Sequence, residues 1–281
     1  MSAITISIVI PTCNRQLGAL RAVESALGQK LDGAFEILVI DDGISEQSLA
    51  HKTLQKYIHN GQIKYLQNKG PHGAAFARNF GVAHAQGKYI TFLDDDDCYL
   101  PGRIQNMLNT MITEKYVFVS STRFHESFDF RQIKNWPNQL SGIITLYDIQ
   151  FINDIDIGFI VKREDFLKLG GFDTNFYNLE DWDFLIRILQ LGDGFKLDRQ
   201  DYAENVNPDR ARNSDNGHIS YRQLADKHRS IFGGRWYGIM LAIADQTQGI
   251  FTLQKALRYA ARFHTMTPIN IYLKKLFNNL K

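Results

Sequence analysis

The chain has 281 residues, 44% of them hydrophobic and 22% charged, with a formal net charge of +2. That length suits one large α/β domain with a short appendage, or two small domains, and the composition is that of a globular protein able to bury a core. So small a charge argues against the strong positive field of a nucleic-acid binder, and no nucleic-acid partner is expected.

The first 120 residues alternate between two periods. Ile4–Pro11 is a β-branched run, Gln16–Gln29 carries apolar residues at helical spacing, and Phe35–Ile40 is strand-like again. Leu49–Ile58 reads as a helix, Ile63–Leu66 as a short strand, Ala74–Ala85 as an alanine-rich helix and Tyr89–Leu93 as a buried strand. Pro101–Glu114 opens with proline in its first turn, where a helix tolerates it, and Tyr116–Ser120 closes the series. Between Arg123 and Asp156 the pattern weakens into loops and a hairpin candidate. Gly158–Val161 is a strand candidate, followed by a helix through Leu169, a Gly170-Gly171 stop and a clear helix over Glu180–Leu191. Residues 198–218 read as polar and turn-rich, and from Arg222 the chain looks helical with a break near Gly233-Gly234.

Strand–helix alternation of this kind implies an α/β fold with a mostly parallel sheet and helices on both faces. Ligands in such sheets bind beyond the carboxyl ends of the strands, so the residues just after each strand carry the chemistry. After Tyr89–Leu93 stand four adjacent carboxylates, Asp94, Asp95, Asp96 and Asp97. They repel one another, and hard oxygen ligands on a loop suit Mg²⁺ or Mn²⁺ bound with substrate phosphates. The alternative is a solvated acidic loop capping the next helix. Two other strand ends have a similar character: Asp41-Asp42-Gly43, able to meet a base or ribose or simply to form an Asx turn, and Pro11-Thr12-Cys13-Asn14-Arg15. Gly70-Pro-His-Gly73 ahead of a helix carrying Arg78 allows a close approach to an anion, although it is neither a P-loop nor a GxGxxG fingerprint.

Taken in order, Ser7–Arg15, Ile40–Gly43, Ala77–Gly81, Gly87–Asp97 and Leu179–Arg187 resemble the family 2 glycosyltransferases of the GT-A fold, over about residues 4–195. The resemblance implies a Rossmann-like sheet with a helical C-terminal extension, a nucleotide-sugar donor with UDP favoured, and inversion at the anomeric carbon. It implies a transferase domain over 1–220, with a nucleotide half (1–122) and an acceptor half (123–220), and an extension over 221–281. Asp41 and Asp42 would contact base or ribose, and Pro11, Thr12, Asn14 and Arg15 would border the donor. The DXD motif maps to Asp94-Asp95-Asp96, with Asp96 as the best direct metal contact, Asp94 or Asp95 on the ribose side, and a register left ambiguous by Asp97. Arg78 would meet the pyrophosphate. The general base maps to Asp181, and Glu180 and Trp182 would face the acceptor, with Trp182 able to stack on a sugar. Acids in a helix's first turn also favour the helix dipole without any active site. The later segment Asp209–His218 lacks the histidine spacing the family carries, and His218 is its candidate for a third metal ligand.

The implied reaction adds a sugar to a hydroxyl of a saccharide or lipid-linked saccharide, as in cell-surface polysaccharide or lipopolysaccharide synthesis. Competing readings are a non-catalytic nucleotide-sugar-binding protein, a metal-dependent phosphatase and a nucleotidyltransferase. Cys13 and Cys98, 85 positions apart with no CxxC, fit a reducing compartment. The start MSAITISIVIP lacks a basic signal-peptide region, and no apolar stretch reaches the roughly 18 residues of a membrane span, so a cytoplasmic site is expected. From Gln246 to Lys281 there are basic residues among apolar ones and no Asp or Glu. Such a segment either lies peripherally on the inner face of an anionic membrane or packs on the domain or a partner subunit.

Overall fold

The computed structural model describes residues 3–13, 16–43, 48–127, 129–136, 139–206 and 217–278. The opening alternation of periods folds as read: β1 (Ile6–Thr12), α1 (Gln16–Leu27), β2 (Phe35–Asp41), α2 (Leu49–His59), β3 (Lys64–Gln67), α3 (Ala74–His84) and β4 (Tyr89–Phe92). Next come β5 (Cys98–Tyr99), α4 (Arg103–Thr113), β6 (Phe118–Ser127), β7 (Gln132–Asn135), β8 (Gly142–Ile144), β9 (Ile160–Lys162), α5 (Arg163–Lys168) and α6 (Glu180–Ile188). The series ends with β10 (Gly194–Asn205), α7 (Gly217–Thr247), α8 (Leu253–Phe263) and α9 (Thr267–Asn278). The hairpin candidate is the antiparallel pair β6–β7. The break expected at Gly233 is a residue with φ 81° inside α7.

One expectation is corrected. Residues 198–205, read as polar and turn-rich, belong to β10, a twelve-residue strand. Its Asp198-Arg199-Gln200 stretch is exposed where the register with β6 shifts between Leu197 and Tyr202, while Lys196 and Asp201 are buried polar residues. Neither a bulge nor a buried charge leaves an apolar alternation to read.

Among the described residues ten strands form one sheet ordered β3-β2-β1-β4-β9-β6-β10-β5, with β7 beside β6 and β8 beside β10. Parallel pairing joins β3, β2, β1 and β4, and again β6 and β10. Because β9 is antiparallel to both β4 and β6, those two blocks run the same way. The sheet is therefore mixed but mostly parallel. Alternation along β1 sends Ile6, Ile8 and Ile10 into a core shared with Ala19, Ala22, Val23 and Ala26 of α1 and with Ile104, Met107 and Met111 of α4. On the opposite face α3 lies so near that a Cβ on Gly81 would stand 2.4 Å from Val9 Cγ1 and 3.0 Å from Ile40 Cγ1. Helices thus cover both faces, as a parallel sheet requires.

By packing, the chain forms two units: Met1–Asp173 with Phe184–Arg210, and Thr174–Asp183 with Ala211–Lys281. Phe184 joins the first unit's aromatic core, stacked on Phe159 at 5.8 Å and set against Phe166 and Phe172. In the second unit Asp183 is wholly buried between His228 Nε2 and Lys227 Nζ, each at 2.8 Å. Asp245, also wholly buried, receives Arg222, Lys255 and Tyr259. Among the described residues no helix is long and apolar enough to cross a membrane.

Candidate active site

Strand order reverses at β1, which leads outward to β2 and β3 on one side and back to β4 on the other. A crevice opens beyond the carboxyl ends of strands at such a switch point. Thr12 ends β1, Asp41 ends β2 opposite it, and Asp94 to Asp97 follow β4. The acidic loop is closed on its far side by β5, which pairs with β10 through Cys98–Ala203 and Tyr99–Tyr202.

The four aspartates alternate in environment. Asp94 and Asp96 are half-buried, whereas Asp95 and Asp97 are buried. Asp95 Oδ2 accepts the Thr12 hydroxyl at 2.8 Å, which ties the loop to the end of β1. Asp97 accepts the Tyr202 hydroxyl at 2.6 Å and the Asn205 amide at 2.8 Å, which ties it to β10. Burial, and then the charges of Asp96 and Asp94, hold the Asp97 carboxyl well above its ordinary pKa. Asp94 Oδ1 accepts Arg78 Nη2 at 2.5 Å, and the Arg78 guanidinium lies 5.8 Å from the centre of the Phe172 ring. Arg21 donates to the Asp96 carbonyl at 2.6 Å and pairs with Glu126 at 2.8 Å. The DXD spacing therefore coincides with a structural period, in which the first and third acids turn outward and the second and fourth anchor the loop.

Carboxylate oxygens of Asp94, Asp96 and Asp97 lie within 4.8 Å of one another. Both Asp97 oxygens already hold partners, whereas Asp94 and Asp96 are the half-buried members of the group, and hard carboxylate oxygens suit Mg²⁺ or Mn²⁺. The donor set fits the expected metal without identifying one.

The other predicted donor residues are distributed as follows. Asp41 is wholly buried, accepting the Tyr65 hydroxyl at 2.5 Å and the Gly43 amide at 2.9 Å, the second bond being an Asx turn. Burial, then the bond to Asp41, raises the pKa of Tyr65. Asp42 binds Asn68 Nδ2 and the Gly73 amide at 2.6 Å each and faces His72 Nδ1 at 3.2 Å, so it holds the glycine turn at the start of α3. Pro11 is half-buried, Thr12 buried, and Arg78 only 5% exposed. Asn14 and Arg15 lie outside the described residues.

Glu180, Asp181, Trp182 and His218 belong to the second unit. Leu179, just before α6, takes φ 68°, and three acids, Glu180, Asp181 and Asp183, occupy the first turn. A leucine in that conformation stores strain of about 1–3 kcal/mol, held by the surrounding structure. Asp181 is half-buried and its Oδ1 accepts the Trp182 amide at 2.8 Å. Glu180 is buried, and His218 is half-buried at the start of α7. Trp182 is 2% exposed and meets Tyr221 edge-on at 6.3 Å. A ring so covered offers no open face to a sugar, and the expected stacking is corrected to a packing contact.

Tyr202, Asn205, Arg21 and Glu126 hold the acidic loop and were not foreseen. Arg21 is one charged residue on a helix, Glu126 is buried on β6, and Tyr202 and Asn205 lie on β10 beyond its register shift. No period marks them.

Comparison with known proteins adds a family and a fold. Residues 7–169 match the family model described as glycosyl transferase family 2. The chain is 30% identical over 192 residues to an uncharacterized glycosyltransferase of Haemophilus influenzae, covering 66% of this chain and 62% of that protein. It is 34% identical over 125 residues to the Escherichia coli UDP-Glc:alpha-D-GlcNAc-diphosphoundecaprenol beta-1,3-glucosyltransferase WfaP, covering 44% of this chain and 48% of WfaP. The chain thus spans less than two thirds of either relative's length. The crystal structure of S. aureus TarS 1-349 in complex with UDP superposes with a TM-score of 0.66 at 17% identity, covering 91% of this chain and 78% of TarS 1-349, and TarS 1-349 also has a structure in complex with UDP-GlcNAc.

Proposed function

Since the chain belongs to glycosyl transferase family 2 and carries a GT-A fold, we propose that it moves a sugar, with inversion, from a nucleoside-diphosphate donor to a hydroxyl acceptor. UDP is the preferred carrier, and a saccharide or lipid-linked saccharide the acceptor, in the building of a cell-surface polysaccharide or lipopolysaccharide. The UDP complex of TarS and the acceptor in the name of WfaP support those choices. The observation that carries the reading is the outward pair Asp94 and Asp96 at the switch point of a parallel sheet. Residues 1–220 form the transferase domain in this reading, with 1–122 serving the nucleotide and 123–220 the acceptor, and 221–281 form the extension.

Asp96, with Asp94 beside it, would hold Mn²⁺ or Mg²⁺, and the ion supplies positive charge against the leaving diphosphate. Arg78 fixes the Asp94 carboxylate from below. Thr12 holds Asp95 against the end of β1, and Asp41 and Asp42 set the wall on the nucleotide side. Asp181 takes the proton of the acceptor hydroxyl as that oxygen bonds the anomeric carbon. The bond from that carbon to the β-phosphate oxygen breaks, and its electron pair leaves with the diphosphate. A positioned general base of this kind contributes about 10²–10⁴-fold in rate. Glu180 lies next to it on the acceptor side.

The test measures Mn²⁺-dependent UDP-sugar turnover and the melting temperature with UDP and Mn²⁺, since a ligand that binds only the native state raises that temperature. Asp181→Asn should lose roughly 10²–10⁴-fold in turnover while keeping the UDP–Mn²⁺ shift. Asp96→Asn should lose the shift itself. Unchanged turnover in the first variant together with an unchanged shift in the second would remove the assignment.

A further inference from the structure

Residues 246–281 contain six Lys or Arg and no Asp or Glu, so the other 245 residues sum to −4. The second unit shows how this charge is displayed. The inner side of α8 packs Ala256 in a cluster with Ala242 and Phe251, and Phe263 fits against Gly238, where a Cβ would stand 2.3 Å from the ring. The outer side carries Leu253 and Leu257, 46% and 51% exposed, with Ala261 continuing the row four residues on. Beside that row, one position later each time, stand Arg258 and Arg262, both exposed. Residues at i, i+4 and i+8 form one stripe on a helix, so α8 presents an apolar stripe flanked by a cationic one. Beyond α8, Met266 is 65% exposed, and Leu273, Lys274 and Leu276 are exposed on α9.

We infer that this outer surface of α8 and α9 docks on an anionic lipid bilayer, with Leu253 and Leu257 entering the interface and Arg258, Arg262 and Lys274 meeting lipid phosphates. Charge selects this occupant. A second copy pairing through the same surface would oppose cations to cations, and the segment has no carboxylate to receive them. Asp245, the acid just before it, is wholly buried and already holds Arg222 and Lys255. Among the described residues Arg258, Arg262 and Lys274 have no ion-pair partner in the fold. A bilayer surface rich in phosphatidylglycerol supplies both missing complements, fixed negative charge and a boundary for leucine side chains. The inference is independent of the donor site, and its test can fail while the transferase reading stands.

Full-length protein is sedimented with vesicles of phosphatidylglycerol and phosphatidylcholine, and with vesicles of phosphatidylcholine alone. Wild type should bind the anionic vesicles, bind them more weakly as salt rises, and stay in solution with the neutral ones. Arg258→Glu/Arg262→Glu should bind at least about tenfold more weakly. Leu257→Glu should also weaken binding. If the reversal variant melts early, Arg258→Gln/Arg262→Gln takes its place, and a wild-type melting temperature certifies the fold. Wild type that ignores anionic vesicles, or variants that bind like wild type, overturns the inference. A wild-type dimer that Leu257→Glu converts to monomers, with no vesicle binding, assigns the surface to a second copy instead.

Discussion

The two halves of the sheet solve burial differently. In the β3-β2-β1-β4 half the strands are filled by residues such as Ile8, Val9, Ile37 and Val39. In the β6–β10 half the interior holds Arg103, wholly buried, bonded to Asp156 at 2.7 Å, to Asp201 at 3.0 Å and to the Ser121 hydroxyl. Lys196 is likewise buried on Asp154 at 2.9 Å. The Arg103 guanidinium also lies 4.7 Å from the centre of the Tyr202 ring, whose hydroxyl holds Asp97. Apolar burial scales with area and tolerates small trims. A buried ion pair fails when either member is removed, because the survivor keeps its desolvation cost. The side of the acidic loop facing β10 is thus anchored to the less forgiving half.

Three substitutions probe that contrast. Arg103→Met strands Asp156 and Asp201 and should cost about 3–5 kcal/mol in urea unfolding, against about 0.5–1.5 kcal/mol for Ile8→Val in the parallel half. Equal losses would erase the distinction. Tyr202→Phe removes one bond to a buried carboxylate, with an expected cost of about 1–3 kcal/mol. The same change should weaken the melting shift produced by Mn²⁺ and UDP, because Asp97 loses one of its two anchors, and an unaltered shift would detach β10 from the site.

The smallest effect concerns Glu36, a polar exception in the parallel half. Burial alone would raise its pKa, but hydrogen bonds from Lys64, Ser7 and the Gln86 amide outweigh that and hold it below its ordinary 4.5. The unfolded chain therefore binds the proton more readily than the folded one, so the stabilisation is present above 4.5 and is lost as pH falls through the depressed folded value. With Lys64 half exposed, the contribution should stay below about 1 kcal/mol. Melting curves of wild type and Glu36→Gln should converge as pH drops below 4.5, and a gap that widens there would reverse the sign.

The same contrast explains what could be read from residues alone. β1 and β2 are rich in Ile, Val and Leu, and β4 is the apolar, β-branched and aromatic stretch Tyr89-Ile-Thr-Phe92, so the strands and the polar residues at their ends were legible. The motif points to Asp96 as the direct metal contact and to Asp94 or Asp95 on the ribose side; the structure leaves Asp94 and Asp96 half-buried and buries Asp95 and Asp97. What remained hidden was tertiary. The strand read over Tyr116–Ser120 runs on to Ser127 as β6, and its polar residues Ser120, Ser121, Thr122 and Arg123 are all buried. The long strand β10 was missed because its buried positions include Lys196 and Asp201. Trp182 shows the opposite error, since an aromatic beside two acids suggested a sugar platform while its ring is enclosed. Polarity predicts exposure only until a partner of opposite charge arrives from a distant part of the chain.

One small residue has a long reach. Gly81 lets α3 rest directly on β1 and β2, and Arg78 sits one turn earlier on the same helix, with its guanidinium under Asp94. The height of that helix above the sheet thus acts as a gauge for where positive charge meets the outward acid. Any side chain at 81 would lift the gauge, and the change would be felt at a carboxylate thirteen positions away in sequence. The absence of one methyl group helps set the electrostatics of the crevice.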